Sequence, residues 1–424
     1  MATATESSSH IMASATTVSD GLQVKTFAAM QHPNFRTYFA GQIVSLSGTW
    51  MQTVAQGWLI FHLTRNEFML GLVACIAGLP ALLLSPVAGV FIDRFPRRNT
   101  LLISNLLLMS VAFIMAVLTF NDTIAIWHVL VLAVLTGIGN AIDAPSRQSI
   151  IADLVGQRDL NSGIVMNATM FNTSRVIGPA LAGIILTQYG PAWCFLLNGI
   201  SFLVVIGTLL ALRIEHVSPR STGFAPLARL KEGWQFASQH HIIAPLLLLA
   251  VISSALTTNI SSILPAFADT VLHAPKDGFA ILSTATGIGA ATAALLALVV
   301  SKYIRRGTIV GVMIVFTTLT TTLAANATTV PVAAVFFLGY GFGIILLFVT
   351  VNTLIQSHVP DAFRGRVMSL YTLTFFGVGP FGALVLGLLA SLIGTPPAIM
   401  IYTLSGGLLS LLVVARARQV IQLT

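Results

Sequence analysis

Two charged side chains lie inside long apolar stretches of this sequence, Asp143 and Arg175. A carboxylate or a guanidinium in apolar surroundings is costly, so each should face other protein groups or a water-filled cavity. Arg175 can bind the anionic part of a ligand or take part in ion coupling. Asp143 is the first acidic candidate to carry a proton, and Asp269 is the second. A structural alternative for Arg175 stays open, in which it bonds backbone carbonyls that Gly178-Pro179 leaves free.

A second set of charges forms a compact turn that contains Gly89, Asp93, Arg94, Arg97 and Arg98. Near a helix end, Asp93 can make charge-assisted hydrogen bonds to neighbouring helices in one conformation only. An interaction present in one state biases the equilibrium between two conformations, which makes these five residues candidate gating residues. The alternative is a solvated loop whose cations only set the orientation of the chain.

Neutral polar residues form a third pattern, because several of them share one face of a helix. In the first apolar stretch Gln42, Thr49, Thr53 and Gln56 fall within roughly 60° of each other at the helical turn of about 100° per residue. Two later stretches carry similar polar residues. The candidate cavity-lining residues are Gln42, Thr49, Gln52, Thr53, Gln56, Ser254, Thr258, Asn259, Tyr340 and Asn352. For any single one, the alternative is an interhelical hydrogen bond that holds two helices together.

Membrane helices are the elements that must position these residues. Of the 424 residues, 56% are hydrophobic and 8% are charged, whereas soluble domains carry about a quarter charged residues. The apolar runs reach the roughly 20 residues that a helix needs to cross the hydrocarbon of a bilayer. The formal net charge of +8 does not indicate nucleic-acid binding, because the cations lie between apolar runs instead of on one soluble face.

Twelve membrane spans are predicted, giving an all-α membrane protein. In chain order, spans 1 to 12 cover residues 36–62, 68–92, 99–120, 125–148, 163–188, 190–212, 242–268, 277–300, 307–325, 330–355, 366–391 and 395–415. The longest polar interruption leaves six spans on each side.

The predicted domain organisation follows from that interruption. In chain order it comprises a disordered N-terminal tail over 1–30, a six-helix bundle over 31–212, a cytoplasmic linker over 213–241, a second bundle over 242–415 and a cytoplasmic tail over 416–424. The low-complexity N-terminal tail is a candidate for partly vector-derived sequence.

The loops of one side hold every Lys and Arg except Arg65, Lys276 and the intramembrane Arg175. Because cytoplasmic loops carry the excess of Lys and Arg, this bias predicts that both termini and the central linker are cytoplasmic.

Two short motifs occur once in each half of the chain. The basic turn at 89–98 follows span 2, and a related turn at 297–306 follows span 8. Gly178-Pro179 in span 5 likewise corresponds to Gly379-Pro380 in span 11. Since the two spacings agree closely, the sequence indicates an internal duplication with two six-helix repeats in parallel orientation.

These features resemble the major facilitator superfamily over almost all of the chain after residue 30. The turn at 89–98 is similar to the signature of that superfamily between helices 2 and 3. Gly178, Pro179 and Gly183 resemble the helix 5 signature of its exporting branches, although Ala182 stands where a glycine is common.

The branch is indicated by three further segments, 34–36, 47–52 and 144–148. They look most like the subfamily that contains the enterobactin exporter and macrolide efflux proteins. The resemblance implies that helices 1, 4, 7 and 10 line a central cavity, which agrees with the polar residues found in spans 1, 7 and 10. Members of that family often carry an acid where Thr49 stands, so no proton-coupling role is transferred to span 1.

The resemblance implies a secondary active exporter that works by alternating access on a small amphipathic molecule, such as a siderophore or a drug. Protons are the expected coupling ion, and the expected form is a monomer in the inner membrane of a bacterium. The sequence holds no nucleotide-binding motif, metal-ligand spacing or hydrolase motif, so no enzyme, cofactor, metal or nucleic-acid partner is expected. Two alternatives stay open: a receptor or assembly protein without transport on the same fold, and an import permease.

Overall fold

The computed structural model describes residues 27–94, 96–212, 226–417, 419 and 423, with only the backbone described over 85–94 and 226–230 and at 298, 375 and 376. Within these ranges the chain is helical. In chain order the α-helices are α1 Pro33–Thr64, α2 Glu67–Arg94, α3 Arg97–Phe120, α4 Ile126–Val155, α5 Leu160–Gln188, α6 Pro191–Ala211, α7 Pro226–Gln239, α8 Ile243–Leu256, α9 Leu264–Thr270, α10 Asp277–Tyr303, α11 Arg306–Ala325, α12 Val330–His358, α13 Asp361–Leu373, α14 Gly379–Ile393 and α15 Thr395–Arg416.

Nine helical stretches in the described ranges are long and apolar enough to cross a membrane, counting α8 to α9 as one stretch. Helices α1 and α5 are also long, with 32 and 29 residues, but they are more polar. Helix α14 is apolar and has 15 residues. Large apolar side chains such as Leu295 and Leu392 are 72% and 73% exposed. Faces of this kind suit contact with lipid, and the chain is a multi-pass membrane protein.

Tight turns separate consecutive helices where glycine allows a left-handed backbone. Gly190, with φ of 89°, ends α5 and precedes Pro191 at the start of α6. Gly394, with φ of 86°, ends α14 and precedes α15 in the same way. Proline suits the first turn of a helix because its missing N–H would have no partner there.

The helices of the N-terminal segment (residues 33–211) and of the C-terminal segment (residues 243–416) pack in the same pairs. In the first segment α1 packs on α5 and α6, α2 on α4, and α3 on α4 and α6. In the second, α8 packs on α14 and α15, α10 on α12, and α11 on α12 and α15. We call the contact between the segments the seam; there α2 packs on α14, and α5 packs on α10.

Glycines let the helices of the seam touch. A Cβ atom on Gly71 of α2 would lie 2.3 Å from the carbonyl oxygen of Ala383, and one on Gly287 of α10 would lie 2.6 Å from that of Arg175. Real Cβ atoms do not approach backbone so closely. The small residue at each crossing therefore decides how near the two segments lie, as in other membrane helix pairs.

Spans 7 and 11 contain breaks that the sequence did not predict. A 3₁₀ segment, Thr258–Ile263, lies between α8 and α9, and a π-helical turn, Thr374–Val378, lies between α13 and α14. Side chains bond carbonyls near the two breaks. Ser254 donates to the Thr374 oxygen at 2.8 Å, and Tyr402 donates to the Gly382 oxygen at 2.6 Å. Irregular backbone at membrane depth is tolerated when other groups satisfy it in this way.

The predicted linker over 213–241 contains the amphipathic helix α7, which the sequence analysis did not place. Helix α7 packs on α13 through the stacked rings of Phe236 and Phe363, whose centroids are 4.3 Å apart. Glu232 also forms an ion pair with Arg366 at 3.1 Å. The rest of the linker before residue 226 lies outside the described residues, as does the predicted N-terminal tail before residue 27.

Candidate functional site

Arg175 lies on α5 with its guanidinium over the indole ring of Trp50 on α1. The guanidinium carbon is 5.5 Å from the ring centroid, and Phe171 packs edge-on against the same ring at 5.7 Å. Arg175 is half-buried. Among the described residues Arg175 contacts the Trp50 ring, and within them no carbonyl accepts a hydrogen bond from it and no carboxylate pairs with it. Its N–H groups are thus free to bind an anionic or polar ligand.

The helix 5 motif brings α5 close enough to α1 for this contact. A Cβ atom on Gly178 would lie 2.4 Å from the Cβ of Trp50, so only glycine allows this approach. Pro179 is buried beside it. Gly183 faces the seam instead, where an added Cβ would lie 2.8 Å from that of Ala280. In this conformation the motif therefore packs α5 against two helices, with Gly178 against α1 and Gly183 against α10.

Tyr340 of α12 lies within electrostatic range of Arg175 from the other segment. Its hydroxyl is buried and donates to the carbonyls of Thr257 and Thr258, at 2.9 and 3.1 Å. These carbonyls lie at the break between α8 and the 3₁₀ segment. Tyr340 thus connects the surroundings of Arg175 with an interrupted helix, a structure that can change shape more readily than a regular one.

Asp143 on α4 does not meet Arg175 in this structure. It is 7% exposed, accepts a hydrogen bond from Asn105 at 3.1 Å, and lies 3.6 Å from the guanidinium of Arg147 one turn further along α4. The buried hydroxyl of Tyr38 lies within electrostatic range of Arg147 and Asp143 and has no hydrogen-bond partner among the described residues. Asp143 is therefore part of a separate buried polar cluster inside the N-terminal segment.

The candidate cavity residues divide into two groups by burial. Four are buried: Gln42, Gln52, Ser254 and Tyr340. Gln52 accepts a hydrogen bond from Asn198 of α6 at 2.7 Å, which is the interhelical bond offered as the alternative. The six that are at least partly exposed are Thr49, Thr53, Gln56, Thr258, Asn259 and Asn352.

The structure describes the side chains of only the second half of the basic turn, which contains Arg97 and Arg98. Arg97 donates to the carbonyl of Ser149 at 3.0 Å and pairs with Asp153 of α4 at 2.6 Å. Arg98 donates to the carbonyl of Leu210 at the end of α6, at 2.9 Å. The side chains of the other three gating candidates, Gly89, Asp93 and Arg94, lie outside the described residues.

A cluster of charges joins the two segments at the end of the helices that is predicted to face outward. We call it the Asp269 cluster. Asp269 at the end of α9 forms an ion pair with Arg65, which follows α1. Lys276 lies 5.3 Å over the ring of Trp58. The cluster comprises Trp58, Arg65, Thr187, Asp269, Lys276 and Asp277, the last of which accepts a hydrogen bond from Thr187.

Replacing Asp269 with Asn should increase opening of this end. Exposed ion pairs contribute about 0–1 kcal/mol, so the expected change is at most roughly fivefold. It is measured as the maleimide labelling rate of a cysteine at Ala280, which is 3% exposed at the seam and lies outside the cluster, in protein without Cys75 and Cys194. Asp122→Asn removes a carboxylate from an exposed loop outside the cluster and should leave the rate unchanged. The reversed pair, Arg65→Asp with Asp269→Arg, should restore it; no change in the single variant would mean that the ion pair does not hold this end closed.

Comparison with known proteins places this chain in a family. The sequence profile of the family described as "Transmembrane secretion effector" matches residues 24–423. The chain belongs to the major facilitator superfamily. This major facilitator protein is 26% identical to the staphyloferrin A transporter of Staphylococcus aureus over 84% of this chain and 89% of that one.

Other relatives agree with the assignment to the efflux branch of the superfamily. Identity to the multidrug efflux pump Tap of Mycolicibacterium fortuitum is 25%, over 82% of this chain and 87% of the relative. A solved nucleoside transporter superposes with a TM-score of 0.72 at 12% identity, over 90% of this chain and 98% of that one. The protein is a multi-pass membrane transporter for a small molecule.

Sequence reasoning missed several residues of these sites. Arg147 was detectable, because a cation one helical turn after Asp143 is placed to pair with it. Trp50, Asn105 and Asp153 carried no local signal, since each contacts a partner that lies on another helix. The segments 47–52 and 144–148 that carry the branch resemblance contain Trp50 and Arg147, but the resemblance gave neither residue a role.

Proposed function

We propose that this transporter is a secondary active exporter of a small amphipathic molecule with an anionic or neutral polar group, such as a siderophore or a drug. The observation that carries the proposal is Arg175, a half-buried cation over Trp50 without a carboxylate partner among the described residues. A site for a permanent cation would require an unpaired buried carboxylate instead. Partly exposed hydroxyls and amides of α1 and of the 3₁₀ segment provide neutral polar contacts.

The proposed architecture has twelve spans in two six-helix repeats. It adds α1, α5 and the α13 to α14 stretch to the nine apolar stretches. The repeated pairs of packed helices and the two glycine turns at Gly190 and Gly394 support the duplication. The charge bias supports cytoplasmic termini and a cytoplasmic linker between bundles at 31–212 and 242–415, and we propose a monomer as the transporting unit.

The described contacts support a conformation closed at the outer end. The polar contacts of the Asp269 cluster join the two segments there. At the opposite end, the described bonds of Arg97 and Arg98 stay inside the N-terminal segment. We propose that Gly89, Asp93, Arg94, Arg97 and Arg98 form the cytoplasmic gate, and that export proceeds when this gate closes and the Asp269 cluster opens.

Protons are the proposed coupling ion, with Asp143 as their carrier. Its carboxylate is buried beside Asn105 and Arg147, and protonation would release the charge of Arg147 within the same helix bundle. A change of that kind inside a packed cluster can bias a conformational equilibrium. The names of the relatives, a siderophore transporter and a multidrug pump, support the substrate class.

Transport into inverted vesicles tests the direction and the energy source together. A catecholate siderophore and a macrolide serve as probes, and an imposed pH gradient that is acid inside drives the exchange. We expect accumulation of a probe that collapses when the gradient is dissipated. Accumulation only in right-side-out vesicles would support the import permease. Binding without accumulation in either orientation would support the receptor.

A further inference from the structure

An apolar groove lies on the surface of the transporter where α5, α10 and α12 meet. Its volume is about 650 Å³, inside the range of roughly 300–1,000 Å³ that is typical of ligand sites. Its walls include Ile184, Ile281 and Val335, which are 57%, 47% and 69% exposed. The groove therefore opens sideways, toward the lipid that surrounds membrane helices, and is distinct from the site at Arg175.

The floor of the groove is the seam between the two segments. Gly183 of α5 and Ala280 of α10 both line it, and they are the pair at which an added Cβ atom would lie only 2.8 Å away. Because both residues are small, the two segments lie close together at this level of the seam. An elongated ligand in the groove would therefore contact the N-terminal segment on one wall and the C-terminal segment on the other.

One end of the groove is polar and anionic. Asp277 begins α10 at this end, and Thr187 and Gln188 end α5 beside it. The Asp277 carboxylate accepts a hydrogen bond from Thr187. Within the groove lining Asp277 is the one ionisable residue. The groove thus has an apolar body of ligand size and a single negative charge where the helices reach the membrane surface.

We propose that this groove binds one acyl chain of a membrane phospholipid whose headgroup carries a primary amine, such as phosphatidylethanolamine. The acyl chain lies along the apolar walls, and the ammonium group lies at the Asp277 carboxylate. Both parts follow from the charge and position of the lining, since a lipid in the leaflet at this end presents its headgroup at the level of Asp277. The occupied groove joins α5 to α10 and α12 across the seam.

Retention of defined lipids by the purified full-length protein tests the proposal. The protein is reconstituted in vesicles of equal phosphatidylethanolamine and phosphatidylcholine, extracted in mild detergent, and its bound phospholipid is quantified by mass spectrometry. We expect a preference of roughly two- to fivefold for phosphatidylethanolamine, the size of an exposed ion-pair effect. Asp277→Asn should keep the lipid and lose the preference.

Large side chains placed in the groove distinguish a specific lipid site from non-specific contact with the surrounding lipid. Ala334→Phe, or Val335→Phe where the first variant unfolds, should lower retained phospholipid. Leu295→Phe is the matched control, because Leu295 is 72% exposed on α10 and does not line the groove. Equal retention by all folded variants would overturn the proposal, as would equal retention of both lipids by the unmodified protein. Loss of transport with unchanged lipid retention would assign the groove to the transported molecule and also overturn it.

Discussion

Export of an anionic substrate is expected to fall by about tenfold to a hundredfold when Arg175 is replaced by Gln, while export of a neutral substrate changes little. Hydrogen bonds to a charged group contribute about 1.5–3 kcal/mol, and about 1.4 kcal/mol corresponds to a tenfold change in affinity. The half-buried guanidinium has no carboxylate partner among the described residues, so its loss leaves no buried charge behind. The measurement is the KM for a catecholate siderophore and for an uncharged dye in proteoliposomes.

Two control variants distinguish ligand binding by Arg175 from a purely structural role in α5. Arg158→Gln removes the same charge at an exposed position and should leave both substrates unaffected. Arg175→Lys keeps the charge but loses the planar fork of donors, so it should show an intermediate loss for the anion. Equal losses for both substrates at matched amounts of folded protein would reject the binding role. Preferential export of a quaternary ammonium dye by the unmodified protein would contradict the electrostatic argument itself.

Gradient-driven accumulation is expected to fall by about 5- to 150-fold in Asp143→Asn, the range of typical coupling free energies. Substrate exchange without a gradient should persist, because the site at Arg175 is intact. The single variant leaves Arg147, whose side chain is 14% exposed, beside a neutral amide, and breaking a buried ion pair costs at most about 3–5 kcal/mol. We therefore expect a lower thermal unfolding temperature as well as the loss of coupling.

The double variant Asp143→Asn with Arg147→Gln separates these two effects. It removes both charges, so thermal stability should recover much of the loss. If Asp143 carries the proton, gradient-driven accumulation stays low in the double variant although its stability has recovered, and substrate exchange continues. If the carboxylate only neutralises Arg147, accumulation recovers together with stability. Full proton-driven transport by either variant would exclude Asp143 as the coupling residue.

The membrane class and the helix positions could be predicted from the sequence for a simple reason. A helix satisfies nearly all of its backbone groups internally, as the hydrocarbon requires, so the length of an apolar run is enough to locate a span. The ends of α3 and α11, at Phe120 and Ala325, agree with the predicted ends of spans 3 and 9. The superfamily assignment is confirmed, whereas the count of twelve spans stays a prediction.

The breaks within spans 7 and 11 and the short amphipathic helix α7 could not be predicted from the pattern of apolar residues. The 3₁₀ segment in span 7 and the π-helical turn in span 11 depend on bonds such as that from Ser254 to the Thr374 carbonyl. Helix α7 is short and polar, and it is held by Phe363 and Arg366 from another part of the chain. None of these interactions leaves a pattern in the local sequence.

The sequence by itself determined which residue types were available for function: one intramembrane arginine, few acids, and a polar face on span 1. Only the tertiary structure decided their partners. Arg175 meets Trp50 instead of Asp143, and Asp269 pairs with Arg65 across the seam. The physical reason is that hydropathy and charge fix the depth and side of each residue along a helix axis, whereas contacts depend on helix rotation and crossing, which the packing of small residues such as Gly178 sets.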